Sequence, residues 1–272
     1  MYVSTQKEVF FMNNIELITS VYVLVDDAVK QIKFKTKPGP IANLSNSELF
    51  TIMLVRPMIM PFCDFKRFYN MFKDNYLYLF PNLPSYKRFL VLYKNNKENL
   101  LKLLKILANT DAFGFVVDGT TISTMEAIRG KYAQSFRNAR KVYCASKRKW
   151  DWGYELVLIL DQYGTLPFAS MSKEKENTQF KELSMELKDC LVLADRGFRG
   201  KEFNQALWDE QQVKVKITGG KERQWIENVI GFLKEKLGLE RIRKIRNDIT
   251  FHAIVFSIIC AYNAIVLLDL HI

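Results

Sequence analysis

Residues 190–200 read C-L-V-L-A-D-R-G-F-R-G. Cys190–Ala194 is an apolar run without a polar interruption, the pattern of a strand buried on both faces, and it stops at a carboxylate, Asp195. An earlier stretch repeats the arrangement: Phe113–Val117 is apolar and ends in Asp118, followed by Gly119 and Thr120. Functional groups of an open α/β sheet gather at the carboxyl ends of its strands, so Asp118 and Asp195 are expected on one edge. If the two strands are neighbours, their carboxylates can share a metal ion. Either Asp alone is as well explained as a turn or cap residue.

Around these strands the chain alternates between periods of two and 3.6 residues. Trp150–Leu160 places Trp150, Trp152, Tyr154, Leu156, Leu158 and Leu160 on one face, and a turn at Asp161-Gln162-Tyr163-Gly164 leads to Thr165–Met171. That is a hairpin. Lys173–Leu187 and Lys201–Glu210 read as helices, Val213–Ile217 as a strand and Glu222–Leu237 as a helix. Residues 1–110 read instead as helical and basic. Ser45-Asn46-Ser47-Glu48 is a capping box opening a helix expected to run to Val55 and stop at Pro57. Asp64–Phe72 follows as a helix, and Pro84-Ser85 starts another with Lys87 and Arg88 in its first turn. The division expected is a helical, basic region over 1–110, compatible with DNA binding, and an α/β domain over 111–272, closed by a C-terminal helix.

A third acid comes from helix geometry. Ile226, Val229, Ile230, Leu233 and Leu237 form one buried stripe, and at about 100° per residue Arg223, Glu227 and Lys234 fall together along its border. Alone this is an i,i+4 Arg–Glu pair. Together, Asp118, Asp195 and Glu227 supply the hard oxygen ligands needed for two Mg²⁺ ions in phosphoryl transfer.

Composition agrees. With 40 Lys and Arg against 29 Asp and Glu, the net charge is +11, favouring a polyanionic partner, nucleic acid first. The four cysteines form no C-x-x-C, so neither a disulfide framework nor a zinc ribbon is expected, and a reducing compartment fits. The two histidines, His252 and His271, leave little material for His-based zinc or Ser-His-Asp chemistry. The first twenty residues lack a secretory pattern. Phe251–Leu268 is long and apolar enough to raise a membrane span, but His252, Ser257 and Asn263 interrupt it, so a buried helix is expected.

At these residues the chain resembles DDE-type bacterial insertion-sequence transposases, whose catalytic domain is ribonuclease-H-like. The similarity runs through L-S-N-S-E-L-F-T-I-M-L, D-F-K-R-F-Y, F-P-N-L-P-S-Y-K-R-F, Y-C-A-S-K-R-K-W-D-W-G-Y, D-R-G-F-R-G, R-Q-W-I-E-N-V-I-G-F-L-K and the terminal A-Y-N. The family's third-acid signature is Tyr, two residues, Arg, three residues, Glu, six residues, Lys. Arg223, Glu227 and Lys234 match it, and the Tyr position holds Gly220. The resemblance implies an α/β fold, a ribonuclease-H-like mixed sheet flanked by helices and preceded by an all-helical region. It implies catalytic and metal-binding roles for Asp118, Asp195 and Glu227, two Mg²⁺ with Mn²⁺ as substitute, and double-stranded DNA as partner, both element ends and target. A homodimer assembled on DNA, no membrane, and a cytoplasmic, nucleoid-associated location follow from it.

DNA contacts are expected from Arg223 and Lys234, from Lys87 and Arg88, and from the basic stretch Ser135–Trp152. There Arg137, Arg140, Lys141, Lys147, Arg148 and Lys149 interleave with Tyr143, Trp150 and Trp152. The basic side chains suit phosphates and the aromatics an unpaired base near a cleaved end, although a solvated loop beside two core tryptophans explains the same pattern. Glu155 is a reserve acid; Asp151, Asp161 and Asp189 read as boundary or turn residues. The rival readings are a nuclease on the same core, a catalytically silent DNA-binding relic and, distantly, a membrane-anchored protein.

Overall fold

Short apolar runs and capped amphipathic helices become, in the computed structural model, a six-stranded mixed sheet flanked by helices and preceded by a helical region. The structure describes residues 12–34, 43–108, 111–133, 135–144, 147–198, 200–242 and 244–270; His271 and most of the N-terminal stretch weighed as a signal lie outside them. The first five helices are α1 (Asn14–Lys30), α2 (Asn46–Ile59), α3 (Phe65–Tyr76), α4 (Tyr86–Asn95) and α5 (Lys97–Ile106). Polar caps start three of them. Asn13 with Glu16 and Ser45 with Glu48 form reciprocal capping boxes, and Asp64 accepts from the Arg67 amide.

Pro57 does not stop α2. The helix continues to Ile59 because the carbonyl that loses its partner to proline, Met53, accepts a hydrogen bond of 3.3 Å from the buried Tyr93 hydroxyl.

The sheet comprises β1 (Gly114–Glu126), β2 (Arg140–Cys144), β3 (Lys149–Asp161), β4 (Phe168–Ser172), β5 (Leu191–Ala194) and β6 (Lys214–Ile217). β3 pairs antiparallel with β1 on one side, and on the other with β2 over Lys149–Gly153 and with β4 over Glu155–Ile159. β5 lies parallel to β1, and β6 parallel to β5. Antiparallel pairing among β1–β4, followed by two parallel strands and helices on both faces, makes the mixed, helix-flanked sheet expected.

Three sequence readings need correction here. Asp118 lies inside β1, not at its end: Gly119–Glu126 extends the strand by pairing with Asp151–Val157 of β3, and β-branched Thr120, Thr121 and Ile122 favour that extension. Part of Ser135–Trp152 is not a loop, because Arg140–Cys144 pairs with the start of β3. Trp150 is not in the core. It is 54% exposed and packs edge to face on Tyr143 of β2; Trp152 is partly buried and its indole donates to the Phe136 carbonyl at 3.2 Å.

The remaining helices are α6 (Ala127–Gly130), α7 (Glu176–Ser184), α8 (Lys201–Gln211), α9 (Gly220–Glu235) and α10 (Asp248–Leu267), with 3-10 turns at Arg196–Phe198 and Leu239–Arg241. One face of the sheet, carrying Phe115, Val117, Val157 and Ile159, is covered by Phe180 of α7 and Leu207 of α8. The other face, carrying Tyr154, Leu156, Leu158 and Leu160, joins α9, α10 and the N-terminal helices in one continuous core. α10 is long and apolar enough to cross a membrane, but 83% of its apolar window is buried inside the protein, packed on α2, α4 and α5. Its Asn263 accepts from the Leu166 amide (2.8 Å) and donates to the Leu166 carbonyl (3.0 Å), while Tyr262 donates to the Gly164 carbonyl (3.0 Å). The A-Y-N motif therefore clamps the β3–β4 turn, which Asp161 also shapes by accepting from the Tyr163 and Thr165 amides.

Candidate active site

Parallel pairing sets Val116 of β1 beside Leu193 of β5, and two more residues of the same register bring Asp118 level with Asp195. β5 stops at Ala194, so beyond it the edge is open for side chains. Asp118 accepts from the Gly119 amide at 2.9 Å, and Asp195 from the Gly197 amide at 2.6 Å within the following 3-10 turn. α9 supplies the rest. Its buried stripe, Ile226, Val229, Ile230 and Leu233, presses the helix onto the sheet and leaves Arg223 and Glu227 facing this edge.

Arg223 joins the three acids. Its Nη2 donates to Asp118 Oδ1 at 2.9 Å and lies 3.6 Å from Glu227 Oε1, while Nη1 lies 3.7 Å from Asp195 Oδ2. Because one nitrogen reaches both Asp118 and Glu227, those oxygens are separated by no more than the sum of the two distances. Arg223 and Asp118 are mostly buried, Asp195 is a third exposed, and Glu227 is half-exposed at the rim. Burial pushes the Asp118 carboxyl above its ordinary value, against the pull of Arg223 and the Gly119 amide.

A fourth carboxylate was not singled out from the sequence. Glu176, the first residue of α7, lies against Gly119, where any Cβ would overlap its carboxylate. Burial first, then the charges of Glu155, Asp118 and Asp195, raise its pKa to about 7. The only available signal was a glutamate opening a helix after a strand, which is common for dipole reasons alone. Glu155 itself is held by Arg140 (2.9 Å) and by the Thr121 hydroxyl (3.2 Å).

Glu176 makes stability depend on pH. Its folded pKa exceeds the ordinary 4.5, so the folded state holds a proton that the unfolded state releases, and stability falls as pH rises from 4.5 to about 7. Glu176→Gln in metal-free protein is therefore expected to add about 1–2 kcal/mol above pH 7, after allowance for solvent screening, and nothing below pH 4.5. Urea unfolding at pH 4 and pH 8 measures it; an equal change at both would remove Glu176 from the carboxylate cluster.

The donor set suits a hard divalent cation: carboxylate oxygens, with no thiol or imidazole among them. Among the described residues no three acidic, His or Cys side chains stand close enough to hold a metal ion as they are. The Arg223 guanidinium sits among Asp118, Asp195 and Glu227, supplying the positive charge a bound cation would supply. The chemistry of the donors fits Mg²⁺.

Several of the basic residues expected to meet DNA lie beside acids or a ring. Lys147 (3.7 Å) and Lys234 (3.0 Å) both reach Glu240, Arg140 pairs with Glu155, and Lys149 lies 3.3 Å from Asp151. Lys141 lies 5.0 Å over the Trp150 ring. Lys87, Arg88, Arg137 and Arg148 are exposed. At Gly220, in the place of the family's Tyr, an added Cβ would meet open space. No family model matches the chain, and no curated protein is significantly similar to it.

Proposed function

We propose that the chain is a DDE-type DNA transposase, a Mg²⁺-dependent polynucleotidyl transferase acting at the ends of an insertion sequence. The observation that supports this reading is the meeting of Asp118, Asp195 and Glu227 on one guanidinium at the open sheet edge of a chain with net charge +11. Asp118, Asp195 and Glu227 would hold the divalent ions, which when bound activate the attacking oxygen and stabilise the leaving one. Arg223, released from the acids, and Lys234, about 16 Å further along the same helix face, suit the phosphates flanking the reacting bond. Water attacks the phosphodiester at the element's end and frees a 3′-hydroxyl; that hydroxyl then attacks a target phosphodiester, displacing its 3′-oxygen. Lys87, Arg88, Arg137 and Arg148 suit more distant backbone contacts, and the reading carries with it a dimer on DNA and a bacterial cytoplasmic setting.

The test is strand transfer. Purified protein, a labelled duplex carrying the inverted repeat that flanks its gene, a supercoiled plasmid and Mg²⁺ are expected to give nicked ends and end–plasmid joints. Cutting without joining would instead make the protein a nuclease on the same core, and binding without either would make it a silent relic.

A further inference from the structure

We propose that the hairpin formed by β2 and β3 carries a stacking platform for an unpaired base of the bound DNA, built from Trp150, Tyr143 and Lys141. The inference deepens the DNA reading above and rests on it. Trp150 and Tyr143 are cross-strand partners, 54% and 48% exposed, with rings packed edge to face at 5.3 Å. Lys141, two residues back on β2, places its ammonium 5.0 Å over the indole. Beside these contacts both rings remain about half-exposed. The platform is rigid, aromatic and cationic, the combination that stacks on nucleobases irrespective of sequence.

Its surroundings choose the occupant. Lys147, Arg148 and Lys149 adjoin the pair in the chain, and the protein as a whole carries +11. A second copy of the same basic chain would bring like charge to this patch; a polynucleotide brings the opposite charge together with flat rings. The hairpin is also tied to the acidic edge. The Thr121 hydroxyl lies 3.4 Å from the Tyr143 carbonyl, and Thr121 follows Asp118 by three residues, about 10 Å of strand. At the other end Lys147 reaches Glu240, which Lys234 of α9 also holds. The platform and the acidic edge thus share one sheet, with Trp150 eight residues along β3 from Leu158, the partner of Asp118, roughly 26 Å of strand.

The experiment is equilibrium binding of the full chain in EDTA, so that cleavage plays no part. The probes are two labelled duplexes of one arbitrary sequence, one blunt and one with a three-nucleotide single-stranded overhang. The wild type is expected to prefer the overhang by about fivefold or more, Trp150→Phe to keep the preference and Trp150→Ala to lose it while binding blunt duplex as before. Absence of a preference in the wild type, its survival in Trp150→Ala, or an equal loss for both probes would overturn the proposal. So would a changed sedimentation behaviour of Trp150→Ala with the preference intact, which would assign the patch to a protein contact. A wild type that prefers the overhang yet never joins ends would leave the platform standing and defeat the transposase reading alone.

Discussion

Replacing Asp195 with Asn is expected to abolish both cleavage and joining of DNA ends while leaving affinity for those ends unchanged or slightly raised. The substitution preserves shape and hydrogen-bonding capacity, and the amide oxygen can still accept from the Gly197 amide that now reaches Asp195 Oδ1 at 2.6 Å. It removes one of the negative charges available to hold divalent cations at the open end of β5. Losing one preorganised charge-stabilising group costs about 10²–10³-fold in rate, and losing a metal ligand as well pushes the effect toward the upper end or beyond it. Affinity, by contrast, comes from Lys and Arg on phosphate, and one less carboxylate lowers the repulsion felt by DNA. Cleavage of a labelled end substrate, run in Mg²⁺ and again in Mn²⁺ beside a mobility shift, reads both quantities. A cleavage rate near that of the unmodified protein would reduce Asp195 to a turn residue after its strand and take the three-acid reading with it.

Arg223→Gln is expected to have the largest effect on stability, and one that Mg²⁺ offsets. Asp118 would lose its hydrogen-bonded guanidinium while staying mostly buried, and removal of one partner from a buried pair costs about 3–5 kcal/mol. The half-exposed Glu227 adds little. Allowing for the open edge, roughly 3 kcal/mol is expected, a fall in Tm of about 6–10 °C for a chain of this size. The sign with pH follows from Asp118: its carboxyl, already raised by burial, loses the charge that pulled it down. The variant should therefore lose more stability relative to the parent near neutral pH than in acid, where the carboxyl is protonated. On the proposed reading a divalent cation would compete with the guanidinium in the unmodified protein and would meet the same carboxylates uncompensated in the variant. Millimolar MgCl₂ should accordingly raise the Tm of Arg223→Gln more than that of the parent. Equal shifts in the two proteins would mean that the metal and Arg223 do not compete for the same carboxylates.

Short-range chemistry made much of this molecule readable. Apolar runs bounded by Asp and Gly marked β5 and the first half of β1, and the Ser45–Glu48 box marked the start of α2. The stripe Ile226–Leu237 oriented α9 correctly enough to set Glu227 and Arg223 on the same border. An 18-residue apolar stretch read as a buried C-terminal helix because His252, Ser257 and Asn263 within it are too polar to face lipid, and Ser257 and Asn263 are fully buried. These features depend on residues within a turn or a strand of each other, and local backbone preference with hydrophobic periodicity decides them.

What the tertiary structure alone decided depends on contacts between distant segments. Asp118 and Arg223 are 105 residues apart, and nothing near either one says that the guanidinium turns to the carboxylates as well as along its own helix. Glu176 joins the site only because β1 offers a glycine where α7 begins, a coincidence of two surfaces rather than of neighbouring residues. Pro57 lies within α2, and the Met53 carbonyl it leaves without a partner accepts from Tyr93, 40 residues after Met53. Trp150, periodic with core residues of the same strand, is half-exposed against Tyr143 of β2. Sequence patterning by itself determined which elements form and which side chains are candidates. Strand adjacency and helix cover, which arise only when the core closes, decided which of those side chains meet.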